Sequence, residues 1–124
     1  MTTDADRLRA RLRADLTTAM KARDKEAVAT LRSVLAAFDN AEAVPVPAPA
    51  AGPRASSEFV AGTSVGLGSA EAARRELTLD DLHTVLRALV DEGLAEAGTY
   101  AAHGRPDDAD RLRRQVDFLR AYLV

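Results

Sequence analysis

The chain has 124 residues, of which 47% are hydrophobic, 4% aromatic and 29% charged, with five Pro, seven Gly, no Cys and a formal net charge of -2. That length predicts one domain over residues 1–124, able to bury roughly two thirds of its unfolded surface, and the lack of cysteine excludes disulfides, Cys-ligated zinc, iron–sulfur clusters and a cysteine nucleophile. The near-neutral charge argues against indiscriminate coating of nucleic acid, and the absence of a signal-peptide-like start or of any run near the roughly 20 apolar residues of a membrane span predicts a cytoplasmic protein with no membrane role.

A first helix is predicted from about Asp4 to Ala22, with Thr3 as N-cap, Asp4 and Asp6 in the positive first turn, and Leu8, Leu12, Leu16 and Ala19 on one face. Arg23 and Asp24 interrupt that stripe. Asp24 then caps a second helix presenting Ala27, Leu31, Val34, Leu35 and Phe38, and so short a connection makes the two helices antiparallel neighbours. From Val44 the periodicity collapses into a Pro/Ala/Gly-rich loop over 44–70, where Pro45, Pro47 and Pro49 forbid helix. The Val44 to Ser57 part has little to offset its ordering entropy, whereas Phe59 to Gly68 carries apolar side chains that are expected to dock on the bundle.

The third helix has the sharpest start. Leu77, Thr78, Asp81 and Leu82 stand at the spacing of a hydrophobic staple around a capping box, which places the first helical residue at Leu79. Leu82, Val85, Leu86, Leu89, Gly93, Ala97 and Tyr100 share one broad face; Gly93 and Ala97 allow a close backbone neighbour, and Gly98 points outward. Gly104 in a left-handed C-terminal position ends it. Pro106 opens a fourth helix with the acidic start Asp107, Asp108 and Asp110 and the stripe Ala109, Leu112, Val116, Leu119 and Leu123, running to the C-terminus. Every apolar face needs a partner and no strand pattern occurs. The predicted fold is all-α: an antiparallel four-helix bundle of two helical hairpins, with the Pro/Ala/Gly-rich loop between helices 2 and 3.

No constellation for catalysis emerges. His83 and His103 stand more than five turns apart on one helix, and the Asp80/His83 pair lacks further ligands, so no metal and no cofactor are expected. No serine has a base at hand or sits in a Gly-x-Ser-x-Gly elbow, the carboxylates cluster at helix starts and polar faces, and the Gly62 to Gly68 run lacks a Gly-Lys-Ser/Thr ending. What stands out is a basic N-terminal hairpin: Met1 to Phe38 carries eight Lys or Arg against five carboxylates, net +3, on an otherwise acidic chain. Arg7 and Arg11 flank one edge of the leucine stripe and Arg9 and Arg13 the other, an arrangement that serves either a solvated face or contacts to RNA phosphates. No aromatic platform supports base readout. Phe118 and Tyr122, one turn apart, either receive the Phe59 to Gly68 loop or form a partner surface.

Met20-Lys21 with Asp24-Lys25, Leu31-Arg32, Asn40, Arg74-Arg75-Glu76-Leu77-Thr78, Tyr100, Gly104, Arg105, Leu112 and Tyr122-Leu123, in this order, resemble the GatB/YqeY family over nearly the whole chain outside the Pro-rich insert. The Gly66-Leu67-Gly68-Ser69-Ala70-Glu71 stretch is similar to actinobacterial members of the stand-alone YqeY-like type. The resemblance implies a helical domain related to the tail region of the B subunit of glutamyl/aspartyl-tRNA amidotransferase, which helps hold tRNA while other domains transfer the amide. Stand-alone members inherit an assignment as carbon–nitrogen ligases with glutamine as amido-N-donor, but no P-loop, Mg²⁺ constellation or amidase serine is present here. The implied role is therefore a non-catalytic accessory module whose partners are tRNA or subunits of a tRNA-dependent amidotransferase. Arg7, Arg11, Lys21, Arg23, Lys25 and Arg32 are its candidate phosphate contacts. The alternative is a structural or protein-interaction module, using the Pro/Ala segment and the Phe118/Tyr122 surface for an unknown protein partner without nucleic acid. Family members commonly continue past the Tyr-Leu pair into a small helical module associated with tRNA contact, whereas this sequence stops at Val124. Many also carry charged residues where this chain has Leu89 and Gly93, which predicts packing at those positions.

Overall fold

Two threonines each begin a helix by the same device. In the computed structural model, which describes residues 2–43 and 75–124, α1 spans Asp4–Ala22 and its Thr3 hydroxyl accepts the Asp6 N–H at 3.0 Å, while the Asp6 carboxylate accepts the Thr3 N–H at 3.1 Å. These bonds satisfy two donors that the first helical turn leaves orphaned. The backbone bond from Thr3, then its side chain, holds the Asp6 carboxyl below its ordinary range. Thr78 and Asp81 repeat the reciprocal pair, at 3.1 and 2.9 Å, at the head of α3, Leu79–Ala102.

The turn between α1 and α2, Lys25–Ala43, is built without glycine. Arg23 adopts φ 58°, its N–H donates to the Met20 carbonyl at 3.1 Å, and the Asp24 N–H donates to the Ala19 carbonyl at 3.0 Å. This wraps the last carbonyls of α1 in a left-handed cap. The Asp24 carboxylate then accepts the Ala27 N–H at 3.1 Å, so Asp24 caps α2 as its sequence position predicts. Gly104, at φ 72°, ends α3, and Pro106 occupies the first turn of α4, Pro106–Arg120, where its missing N–H has no helical partner to lose. A single 3₁₀ turn, Ala121–Leu123, follows.

Among the described residues there are four α-helices and no strand, and they pack as a helical bundle. The backbones of α3 and α4 lie in close contact, and α1 lies against α3. The Arg9 guanidinium sits over the Phe38 ring at 5.5 Å, joining the start of α1 to the far part of α2 as antiparallel neighbours require. The core takes residues from all four helices, and Leu12, Leu31, Val34, Phe38, Leu82 and Leu86 are completely buried. Each such side chain contributes about 1.5–3 kcal/mol relative to exposure. The exposed pairs Arg7–Asp4, Arg113–Asp110 and Arg120–Asp117, at 3.1 to 3.5 Å along single helices, contribute far less, so apolar burial holds the bundle.

At Gly93 the Val116 side chain of α4 packs directly against α3. A Cβ built there would meet Val116 Cγ2 at 2.7 Å, whereas one at Gly98 would meet nothing within 4 Å. The buried positions depart from the predicted stripes in detail: Leu16, Leu35 and Leu112 are only half-buried, and Ala5 and Thr30 are buried. Val90 is buried on α3 while Val85 and Leu89 are half-buried, and the tighter last turn brings Tyr122 inside while Leu123 is only half-buried. At three residues per turn, position 122 falls in line with buried Leu119.

The residues form two compact units, one from Met1–Phe38 and Leu77–Val124, the other Asp39–Glu76. Within the second, the Arg75 N–H donates to the Glu42 carbonyl at 3.1 Å. The predicted 44–70 loop, including the docking expected of Phe59 to Gly68, lies outside the described residues.

Candidate functional site

The six basic residues singled out by the sequence divide into two sets. Arg7 and Arg11, one turn apart on α1, are both engaged within the protein. Arg7 pairs with Asp4 at 3.1 Å. The Arg11 guanidinium lies over the Tyr122 ring at 4.5 Å, where its charge faces the negative π surface. The Tyr122 hydroxyl in turn donates to the Asp15 carboxylate, on the next turn of α1. Burial, then that bond, pushes the Tyr122 hydroxyl well above its ordinary range, and Arg11 opposes the shift. Arg11 thus stacks on a ring of the last turn while its side chain stays exposed.

Lys21, Arg23, Lys25 and Arg32 form the other set. Lys21 lies in the last turn of α1, Arg23 is its C-terminal cap, Lys25 starts α2, and Arg32 lies two turns further along α2 from Lys25. All four are exposed, and none makes an ion pair with any described residue. The left-handed backbone of Arg23 makes the chain reverse within two residues, which brings Lys21 and Lys25 to the same end of the hairpin. About 21 Å of helix axis separates Lys21 from Arg7 at 1.5 Å per residue, so the six do not form one patch.

Phe118 and Tyr122 form an edge-to-face pair with ring centroids 5.9 Å apart. Phe118 is half-buried, but Tyr122 is only 5% exposed, so the surface expected from this pair narrows to Phe118. The inward turn of Tyr122 follows from the 3₁₀ geometry and from a hydroxyl partner 107 residues away, which local periodicity does not reveal.

Sequence reasoning also missed a pair between α4 and α2. Arg114 Nε and Nη2 donate to the two Glu26 carboxylate oxygens at 3.2 and 3.0 Å. The Arg114 bond holds the Glu26 carboxyl below its ordinary range and raises Arg114 in return. The only sequence signal was that both positions belong to polar faces bordering their stripes.

The histidines occupy opposite ends of α3, and His103 Nδ1 lies 2.7 Å from the Thr99 carbonyl of its own helix. Among the described residues no group of three or more His, Cys, Asp or Glu is placed to hold a metal ion, and no helix is long and apolar enough to cross a membrane. What the described surface offers chemically is charge: free ammonium and guanidinium groups at one hairpin end. Comparison with known proteins adds no relative, since no family model, no curated protein and no solved structure matches the chain.

Proposed function

We propose that the chain is a non-catalytic accessory module of the GatB/YqeY kind that engages tRNA, alone or beside the subunits of a tRNA-dependent amidotransferase, through the α1–α2 end of its bundle. The observation that carries this reading is the set Lys21, Arg23, Lys25 and Arg32, exposed and without an ion-pair partner among the described residues. A cation already held by a neighbour gives up part of that contact when it turns to a phosphate. Unpaired ones release counterions from phosphate on binding and supply a sequence-independent affinity. Arg7 and Arg11, engaged with Asp4 and Tyr122, contribute less.

The test is tRNA binding as a function of salt for the wild type and for a Lys21→Ala, Arg23→Gly, Lys25→Ala variant, glycine being chosen because residue 23 is left-handed. Loss of three phosphate contacts is expected to flatten the log–log salt dependence by about 2–3, at ~0.7–0.9 per contact. An Arg7→Ala, Arg11→Ala variant that remains folded should flatten it less. Binding that is absent, insensitive to salt, or unchanged by the triple substitution overturns the proposal.

A further inference from the structure

From the α1–α2 turn, α2 and α4 leave an open furrow between them. Three adjoining depressions of about 270, 140 and 220 Å³ follow one another along it and share lining residues: Asp24, Ala27 and Phe118 join the first to the second, and Thr30 and Gln115 join the second to the third. The α2 wall runs from Ala27 through Thr30 to Val34, spaced three and four residues apart on one helix face. The α4 wall runs back through Phe118, Gln115 and Leu112. Along α4 and its final turn the furrow is about 15 Å long, from Leu112 to Tyr122 at 1.5 Å per residue.

The floor is apolar, with Val34, Leu89, Val116 and Leu119 at its α3 end and Phe118 and Tyr122 at the other. The rim is acidic at its α3 end, whereas at the α1–α2 turn Asp24 stands between the exposed cations Arg23 and Lys25. Asp15, Asp24, Glu26, Glu92 and Glu96 line the furrow together with Arg114, which is neutralised by Glu26. Glu92 and Glu96, one turn apart on α3, are exposed and make no ion pair with any described residue.

We infer that this furrow is a docking site for a basic amphipathic helix of another protein, seated with its apolar stripe on the floor and lysine or arginine side chains over the carboxylate rim. Charge complementarity selects the occupant. Nucleic acid and anionic lipid are disfavoured at the end bordered by Glu92 and Glu96, and the individual depressions fall below the ~300–1,000 Å³ of small-molecule sites while suiting single side chains as anchors. Three turns of helix, about 16 Å, match the furrow's length and present anchors at i, i+3 or i+4, and i+7. A second copy of this chain is a poor occupant, because the leucine stripe of its own arginine-rich helix, Leu8 and Leu12, is already buried.

The experiment is fluorescence anisotropy with a labelled peptide of about 14 residues, ~21 Å as a helix, carrying leucine at every third or fourth position and lysine between. A control peptide replaces each leucine by serine at unchanged charge. Saturable, salt-sensitive binding of the first peptide alone is expected. Glu92→Gln with Glu96→Gln should weaken it about 5- to 10-fold, as loss of two partly exposed charge contacts implies. Ser33→Phe, which fills the α3 end from its edge, should abolish it, with circular dichroism confirming that both variants keep wild-type helicity and tRNA titrations confirming that the basic face is undisturbed. Equal affinity for the two peptides, or retention of full affinity by both variants, overturns the inference. So does sedimentation showing the protein to be a dimer that the Ser33→Phe variant dissociates, which would make a second copy the occupant.

Discussion

Replacing Gly93 by alanine tests the α3–α4 packing most directly, because the same substitution at Gly98 supplies an internal reference on the same helix. Alanine in a helix interior is favoured over glycine by about 0.8–1 kcal/mol, and at Gly98 nothing lies within 4 Å of the added methyl, so Gly98→Ala should stabilise the protein by about that amount. At Gly93 the methyl arrives 2.7 Å from Val116 Cγ2. Val116 is 2% exposed and β-branched, so it has no flexible end to swing away. Overpacking of this kind costs about 1–3 kcal/mol, which outweighs the propensity gain and leaves Gly93→Ala net destabilising by about 1 kcal/mol. Urea unfolding at constant slope measures both, and each ~1 kcal/mol corresponds to roughly 3–5 °C in Tm for a chain of this size. A double variant, Gly93→Ala with Val116→Ala, removes the obstructing methyl and should be more stable than the sum of its parts by at least about 1 kcal/mol. If Gly93→Ala were as stabilising as Gly98→Ala, the close approach of α3 to α4 would be refuted.

Tyr122→Phe removes the bond to Asp15 and is expected to destabilise by about 1–2 kcal/mol in chemical denaturation. The same phenol sets an alkaline limit: its proton is held more tightly folded than unfolded, so its contribution is complete below the unfolded value of about 10 and is lost as pH rises beyond it. Wild-type Tm should therefore fall there more steeply than that of Tyr122→Phe. In acid the sign reverses. The Asp6 and Glu26 carboxyls are held low, so their stabilisation is present above the ordinary carboxylate range and fades as pH drops through it, and Glu26→Gln should show a shallower Tm loss below about pH 4.5. Thr78→Ala breaks the capping box of α3 at about 1 kcal/mol, visible as a lower urea midpoint. Arg23→Gly should stabilise the protein by about 0.5–1 kcal/mol, visible as a higher midpoint, since glycine adopts φ 58° without the side-chain clash.

The helix boundaries were legible where side chains bond to nearby backbone. Thr3, Asp24, Thr78 and Pro106 announce helix starts because their chemistry acts within three or four residues, and Gly104 marks a stop for the same reason. The close approach at Gly93 was legible too, because a glycine on an otherwise apolar face has few other uses. Long-range pairings were not. Arg11, read as one more surface cation, stacks on a ring contributed by the other end of the chain, and Glu26 meets Arg114 across 88 positions. The inward place of Tyr122 was not legible, because it depends on a last turn that tightens to three residues and on a partner far along the chain. The candidate basic face was visible in composition, but which of its members are free depends on partners that only the packed bundle supplies.

The bond between Asp15 and Tyr122 also bears on the order in which the molecule assembles. The α3–α4 hairpin closes over a short connection and can zip up on its own contacts, whereas α1 has no seat for its Asp15 turn until the residues around 122 have been made. The Asp15 turn of α1 therefore settles after the α3–α4 hairpin, and substitutions at Asp15 should chiefly accelerate unfolding while those between α3 and α4 slow refolding.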